Sequence, residues 1–142
     1  MTLENLGWND RLASQFEGYA LQGLVAARVC SEHKNAYTVA TTEGEIGAVV
    51  AGRMQYSAGS REDLPVVGDW VAADVLNERP PRAVIRAILP RSSKFARKEA
   101  GVRSLEQPIA ANVDTVFVVV GLDSDYSLRR IERYVTLALE GQ

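Results

Sequence analysis

The segment VFVVV at residues 116–120 constrains this chain most. Five consecutive apolar residues, each β-branched or aromatic, leave no polar face for water, so the run reads as a strand covered on both sides at the centre of a parallel sheet. Such a strand needs a crossover helix and a further strand beyond it. The helix is legible: Leu128, Ile131, Tyr134, Val135, Ala138 and Leu139 share one stripe, Arg129, Arg130, Glu132 and Arg133 lie opposite, and Ser127 suits the N-cap. The sequence reaches Gln142 before another strand begins. Residues 109–142 are therefore expected to form the first β-α unit of a truncated α/β domain, with its strand at 115–121 and its helix at 127–140.

Upstream the pattern is different. Residues 1–20 are expected to be an arm or short helix, with Trp8, Leu12 and Phe16 four residues apart on one face. Residues 21–90 break into five short β segments, LQGLVAARVC, AYTVATT, EIGAVVAGRM, DWVAADVL and RAVIRAIL, separated by glycine and proline turns and without a long helix. Five strands of this length close economically as an OB-fold barrel, which leaves few free edges. The expected fold class is thus mainly β, an OB barrel followed by the β-α unit. Between them, residues 91–108 read as an exposed basic linker without strand or helix periodicity.

Chain length and a 46% hydrophobic content allow one small domain plus part of a second. The apolar runs are too short to span a bilayer, and the first residues lack a basic stretch followed by an apolar one, so the expected location is the cytoplasm, away from membranes. A single cysteine, Cys30, agrees with a reducing compartment and is expected to be a small buried residue. Charge is polarised. Of 16 Lys and Arg and 18 Asp and Glu, eight bases and only Glu99 fall within 79–103, so that segment carries +7 and the remainder −9. Such a chain favours a polyanion at one face.

The basic residues have two readings, a solvated linker or a phosphate-neutralising surface. For the second, Arg79 and Arg82 fall between strands four and five, and His33 and Lys34 between strands one and two, the loops with which OB barrels grip oligonucleotides. Arg91, Lys94, Arg97, Lys98 and Arg103 continue the run. Tyr37 and Tyr56 each either stack on bases or pack in the barrel, and Trp70 is expected as a core anchor. His33, the one histidine, is read first as a solvated loop residue, then as an RNA contact, and last as a general base or metal ligand. Asp123 and Asp125 suit a helix start better than a metal site. No phosphate loop, Asn-Lys-x-Asp, Asp-x-x-Gly or Cys/His cluster occurs, so no catalytic, cofactor or metal residue is assigned.

Four segments carry a resemblance: LGWNDRL at 6–12, LPVVGDWV at 64–71, ILPRSSKFARK at 88–98 and QPIAANVDTVFVVVGLDSDYSLRRIERYVTLA at 107–138. Together they resemble the amino-terminal part of the RsgA (EngC) family of ribosome small-subunit-dependent GTPases. The resemblance implies an OB domain, a circularly permuted GTPase domain and then a zinc-binding domain, with GTP, Mg and structural Zn held beyond Gln142. It further implies docking on 16S rRNA during late maturation of the 30S subunit, and a fragment that does not itself hydrolyse GTP. The alternatives are a self-contained nucleic-acid-binding barrel or a protein-interaction module. On any of these readings the uncovered β-α tail is expected to be able to join two copies into a homodimer.

Overall fold

Glycine and proline punctuation divides residues 21–90 into strands, and the structure, a computed structural model describing residues 1–34, 36–98, 106–124 and 126–141, closes them into a barrel. β1 (Val25–His33), β2 (Ala36–Thr41), β3 (Gly44–Val50), β4 (Trp70–Leu76) and β5 (Arg82–Ile88) stand in the order β1-β2-β3-β5-β4. β3 and β5 pair in parallel from Gly47 opposite Arg82 to Val50 opposite Ile85, and β1 meets β4 antiparallel to complete the circuit. This is the five-stranded arrangement of an OB fold. The interior alternates small and large apolar side chains, Ala27, Ala48 and Ala83 among Val29, Val39 and Ile85, which suits a lumen too narrow for bulky residues on every strand.

A second core lies outside the barrel wall. After a single 3-10 turn at Glu4–Leu6, α1 (Asp10–Ala20) starts where the Asn9 side chain accepts a hydrogen bond from the Leu12 amide at 3.1 Å. Its Leu12 and Phe16 bury against Ala26, Trp70, Ala72 and Leu89, each contributing roughly 1.5–3 kcal/mol relative to exposure. Trp8 sits before the helix, with its ring edge-on at 4.8 Å from Trp70 and 5.8 Å from Phe16 between centroids. β4 is consequently covered on both faces: Val71 and Ala73 point into the barrel, Trp70 and Ala72 lie under α1.

Several expectations change. The third strand ends at Val50, and residues 52–57 form α2 (Gly52–Ser57). The Ala51 amide makes a bond of 2.9 Å to the Ile85 carbonyl, after which Met54 turns back onto the barrel core and a helical turn fits there better than a strand. Cys30 is exposed, because strand alternation puts it with Ala26 and Arg28 on the outer face of β1 while Ala27 and Val29 point into the barrel. His33 is the last residue of β1, opposite Ala36, and not a loop residue. The segment read as a strandless linker, 91–108, holds β6 (Lys94–Lys98) and the first half of β7 (Glu106–Ala111), an antiparallel pair that crosses the expected boundary at 109. Its charge-rich sequence hides strands that exist because they find each other.

The largest difference concerns 115–121, which form no strand: among the described residues nothing forms a ladder with them. Composition supplied the propensity but not the neighbours that satisfy backbone N–H and C=O groups. α3 (Leu128–Glu140) follows, with the Ser127 hydroxyl accepting from the Arg130 amide, and its end is tied to β6 by the Lys94 amide donating to the Gly141 carbonyl at 2.8 Å.

Candidate functional site

The strongest local chemistry lies where the barrel meets the hairpin. Asp69 is fully buried just before β4. A buried carboxylate is costly unless paired, and Arg91 supplies a two-pronged guanidinium: Nε donates to one Asp69 oxygen at 2.8 Å and Nη2 to the other at 2.7 Å. The Val66 amide donates to the same carboxylate at 2.9 Å. Arg91 also donates to the carbonyls of Glu62 and Leu64, and the Asp69 hydrogen bond pushes its pKa up despite desolvation. Lys94 reaches Glu62 at 2.6 Å. Two residues expected on a phosphate surface therefore serve to fasten the hairpin to the β3–β4 connection. No local pattern signals this, since the acids lie 22 and 32 positions away.

A second fastening, missed at the sequence level, runs through Arg28 and Asn112. Arg28 donates to the carbonyls of Leu6, Gly68 and Asn112 and lies over the Trp70 ring at 5.8 Å. Asn112, at φ 53°, donates to the Gly68 carbonyl at 3.0 Å and accepts from the Ser92 amide and hydroxyl. Gly68 has φ +90°, and a Cβ there would collide with the Ala111 carbonyl. The glycine in "VVGDW" and the asparagine in "ANVD" are thus two halves of one joint, which also includes the parallel bridge from Val67 to Ala110.

The remaining cations separate into two groups. His33 and Lys34 are exposed at the tip of the β1–β2 hairpin; Arg79 and Arg82 are exposed at the β4–β5 connection. By strand direction the two connections lie at opposite ends of their strands, since β1 and β4 are antiparallel. The register nevertheless brings them close: Val84, level with His33 through Ala36 and Val49, is two residues along β5 from Arg82. Arg97 and Lys98 lie on β6, and Arg103 falls outside the described residues. Arg86 pairs with Asp74 at 2.9 Å. Of the two tyrosines, Tyr37 is in the barrel core, which together with Glu32 pushes its phenol pKa up, and Tyr56 is exposed.

The tail offers an apolar surface. Phe117 and Val119 are 86% and 91% exposed, and Leu122, Leu128 and Leu139 are exposed with them. Among the described residues no group of three or more His, Cys, Asp or Glu could hold a metal ion, and Asp125 lies outside them. Nothing in the described chain forms a glycine-rich phosphate cradle, so no residue is assigned to GTP, Mg or Zn. No described helix is long and apolar enough to cross a membrane. The Cys30 thiol pKa is raised, first by partial burial and then by Glu45.

No family model matches the chain. It is 43% identical over 145 residues, 97% of its length, to the protein called small ribosomal subunit biogenesis GTPase RsgA of Opitutus terrae. It is also 43% identical over 148 residues, 99% of its length, to the RsgA of Syntrophotalea carbinolica. The chain spans 40% of the length of each of these relatives. The crystal structure of YjeQ from Thermotoga maritima matches at a TM-score of 0.56 and 24% identity over 84% of this chain and 38% of that one. YloQ, described as a circularly permuted GTPase, matches at 0.54 and 19% identity over 83% of this chain and 37% of that one. These two likenesses show the fold.

Proposed function

We propose that this chain is the amino-terminal part of a member of the RsgA family, two of whose proteins it matches at 43% identity, and that it supplies the docking domain and the opening segment of the catalytic domain of a cytoplasmic ribosome biogenesis GTPase. The barrel docks on 16S rRNA of the 30S subunit. The tail from residue 109 starts the permuted GTPase domain, and GTP, Mg and Zn belong to the sequence that follows in relatives. The observation that carries this reading is the contrast within one chain aligned almost end to end: a barrel that closes on itself, then an apolar segment and helix face left without cover.

Exposed Arg79, Arg82, His33 and Lys34 are the cations the barrel offers to phosphate. Arg91 and Lys94 act indirectly, by holding the hairpin that carries Arg97 and Lys98. Binding of the chain to 16S rRNA should weaken log-linearly as salt rises, and replacing Arg79 and Arg82 by glutamine should reduce that slope by about one for each phosphate no longer neutralised. Absence of measurable rRNA affinity at low salt would refute the docking role. A pure preparation of this chain should release no phosphate from GTP, since transfer requires a phosphate cradle and metal that its residues do not provide.

A further inference from the structure

Resting on that docking role, we infer that the α2 end of the barrel is the end that reads RNA, and that it captures an unpaired nucleotide by stacking its base on Tyr56 with Arg53 beside it on the phosphate. Tyr56 is 95% exposed, the one exposed aromatic ring among the described residues of the barrel. Its orientation is imposed by the helix. Met54 packs against the barrel core, and the hydroxyl of Ser57 donates to the Arg53 carbonyl at 2.9 Å, closing the turn. With position 54 turned inward, positions 53 and 56, three apart, share an outward face.

Arg53 is exposed and has no ion pair among the described residues, unlike Arg61, which is paired to Glu32, and Arg86, paired to Asp74. The register places more positive charge nearby. Val49, three residues before Gly52, stands opposite Ala36, which stands opposite His33. Val49 is therefore two strand spacings, roughly 10 Å, from the hairpin tip that carries His33 and Lys34. Gly52 and Gln55 flank the ring and provide no apolar surround. A single ring among cations and polar groups suits a nucleobase and its phosphates better than a protein hot spot, which would need a desolvated apolar rim. Arg79 and Arg82 have no exposed aromatic neighbour within the β4–β5 connection, so they serve backbone charge alone.

The test is fluorescence anisotropy at low salt with the whole chain and two labelled probes, an oligouridylate of about 12 nucleotides and an RNA duplex of similar length. Tyr56→Ala should weaken single-strand binding roughly tenfold and leave duplex binding within about twofold, while Tyr56→Phe keeps both. Arg53→Gln should lower the single-strand salt slope by about one, and Arg79→Gln with Arg82→Gln should weaken both probes alike. An unchanged thermal midpoint for each variant shows that the exposed positions leave the fold intact. If the unaltered chain binds RNA but Tyr56→Ala binds the single strand as well as before, or weakens on both probes equally, the stacking site is refuted and the docking role stands. If the unaltered chain binds neither these probes nor 16S rRNA, the docking role itself has failed.

Discussion

β4 and the segment at 116–120 each join an aromatic ring to valine in an apolar run, yet Trp70 is 1% exposed and Phe117 86%. β4 has β1 on one side, β5 on the other, the barrel lumen beneath and α1 above. Among the described residues the VFVVV segment has no strand partner and no covering layer. A β-branched apolar run thus specifies what it needs and not what it gets: the strand forms where the chain supplies partners for its backbone and both its faces. For β4 those partners lie in residues 8–89; for the tail they are proposed to lie further along the polypeptide.

Substitutions at the joint should be the most damaging, because there the barrel side of this contrast is held together. Asp69→Ala leaves the largely buried Arg91 guanidinium without its carboxylate and should cost about 3–5 kcal/mol, read as a lower urea midpoint with an unchanged slope. Gly68→Ala should cost roughly 1–3 kcal/mol, because φ +90° and the Ala111 carbonyl both oppose a side chain. Its distinguishing mark is a drop in amide protection in β6 and β7 before β1 to β5. If both variants melt as the unaltered chain does, the barrel and hairpin are not one unit.

The tail should respond in the opposite way. Val119→Lys should change the unfolding free energy of the isolated chain by less than about 0.5 kcal/mol, since its side chain is 91% exposed. The same change should reduce self-association measured by sedimentation, because it places a charge in the apolar surface that would join two copies. A large drop in stability would mean that the segment is already packed. The smallest effect concerns Cys30: exposed but with a raised pKa, its thiol carries less thiolate near neutral pH than it does in the unfolded chain. Its reaction with a disulfide reagent should therefore be slow in the folded state and accelerate on denaturation or as pH rises.

Much of the barrel was legible because turn residues delimit its strands, and Ser127 and the apolar stripe of residues 128–139 marked α3. What escaped was whatever depends on partners far away in sequence. α2 hid in the apparent continuation of EIGAVV, because the bond from Ala51 to Ile85 that ends β3 joins residues distant along the chain. β6 hid in a charged stretch, and β7, EQPIAA, carries a proline and no alternation that marks a strand. Arg91 looked like a free cation until Asp69 and the Leu64 carbonyl were found around it, and the structural use of Arg28 and Asn112 had no local signature. Tyr37 and Tyr56 had equal readings because burial is decided by the barrel's alternation and the position of α2, neither of which the tyrosines themselves reveal.

Native-state hydrogen exchange, run at a concentration where the chain is monomeric, separates a self-sufficient barrel from a segment awaiting its sheet. Amides of β1 to β5 should exchange only through global unfolding, while those of residues 115–121 exchange nearly unprotected and become protected in a longer chain carrying the sequence that follows in relatives. Strong protection of 115–121 in the monomeric 142-residue chain would contradict this division of the molecule.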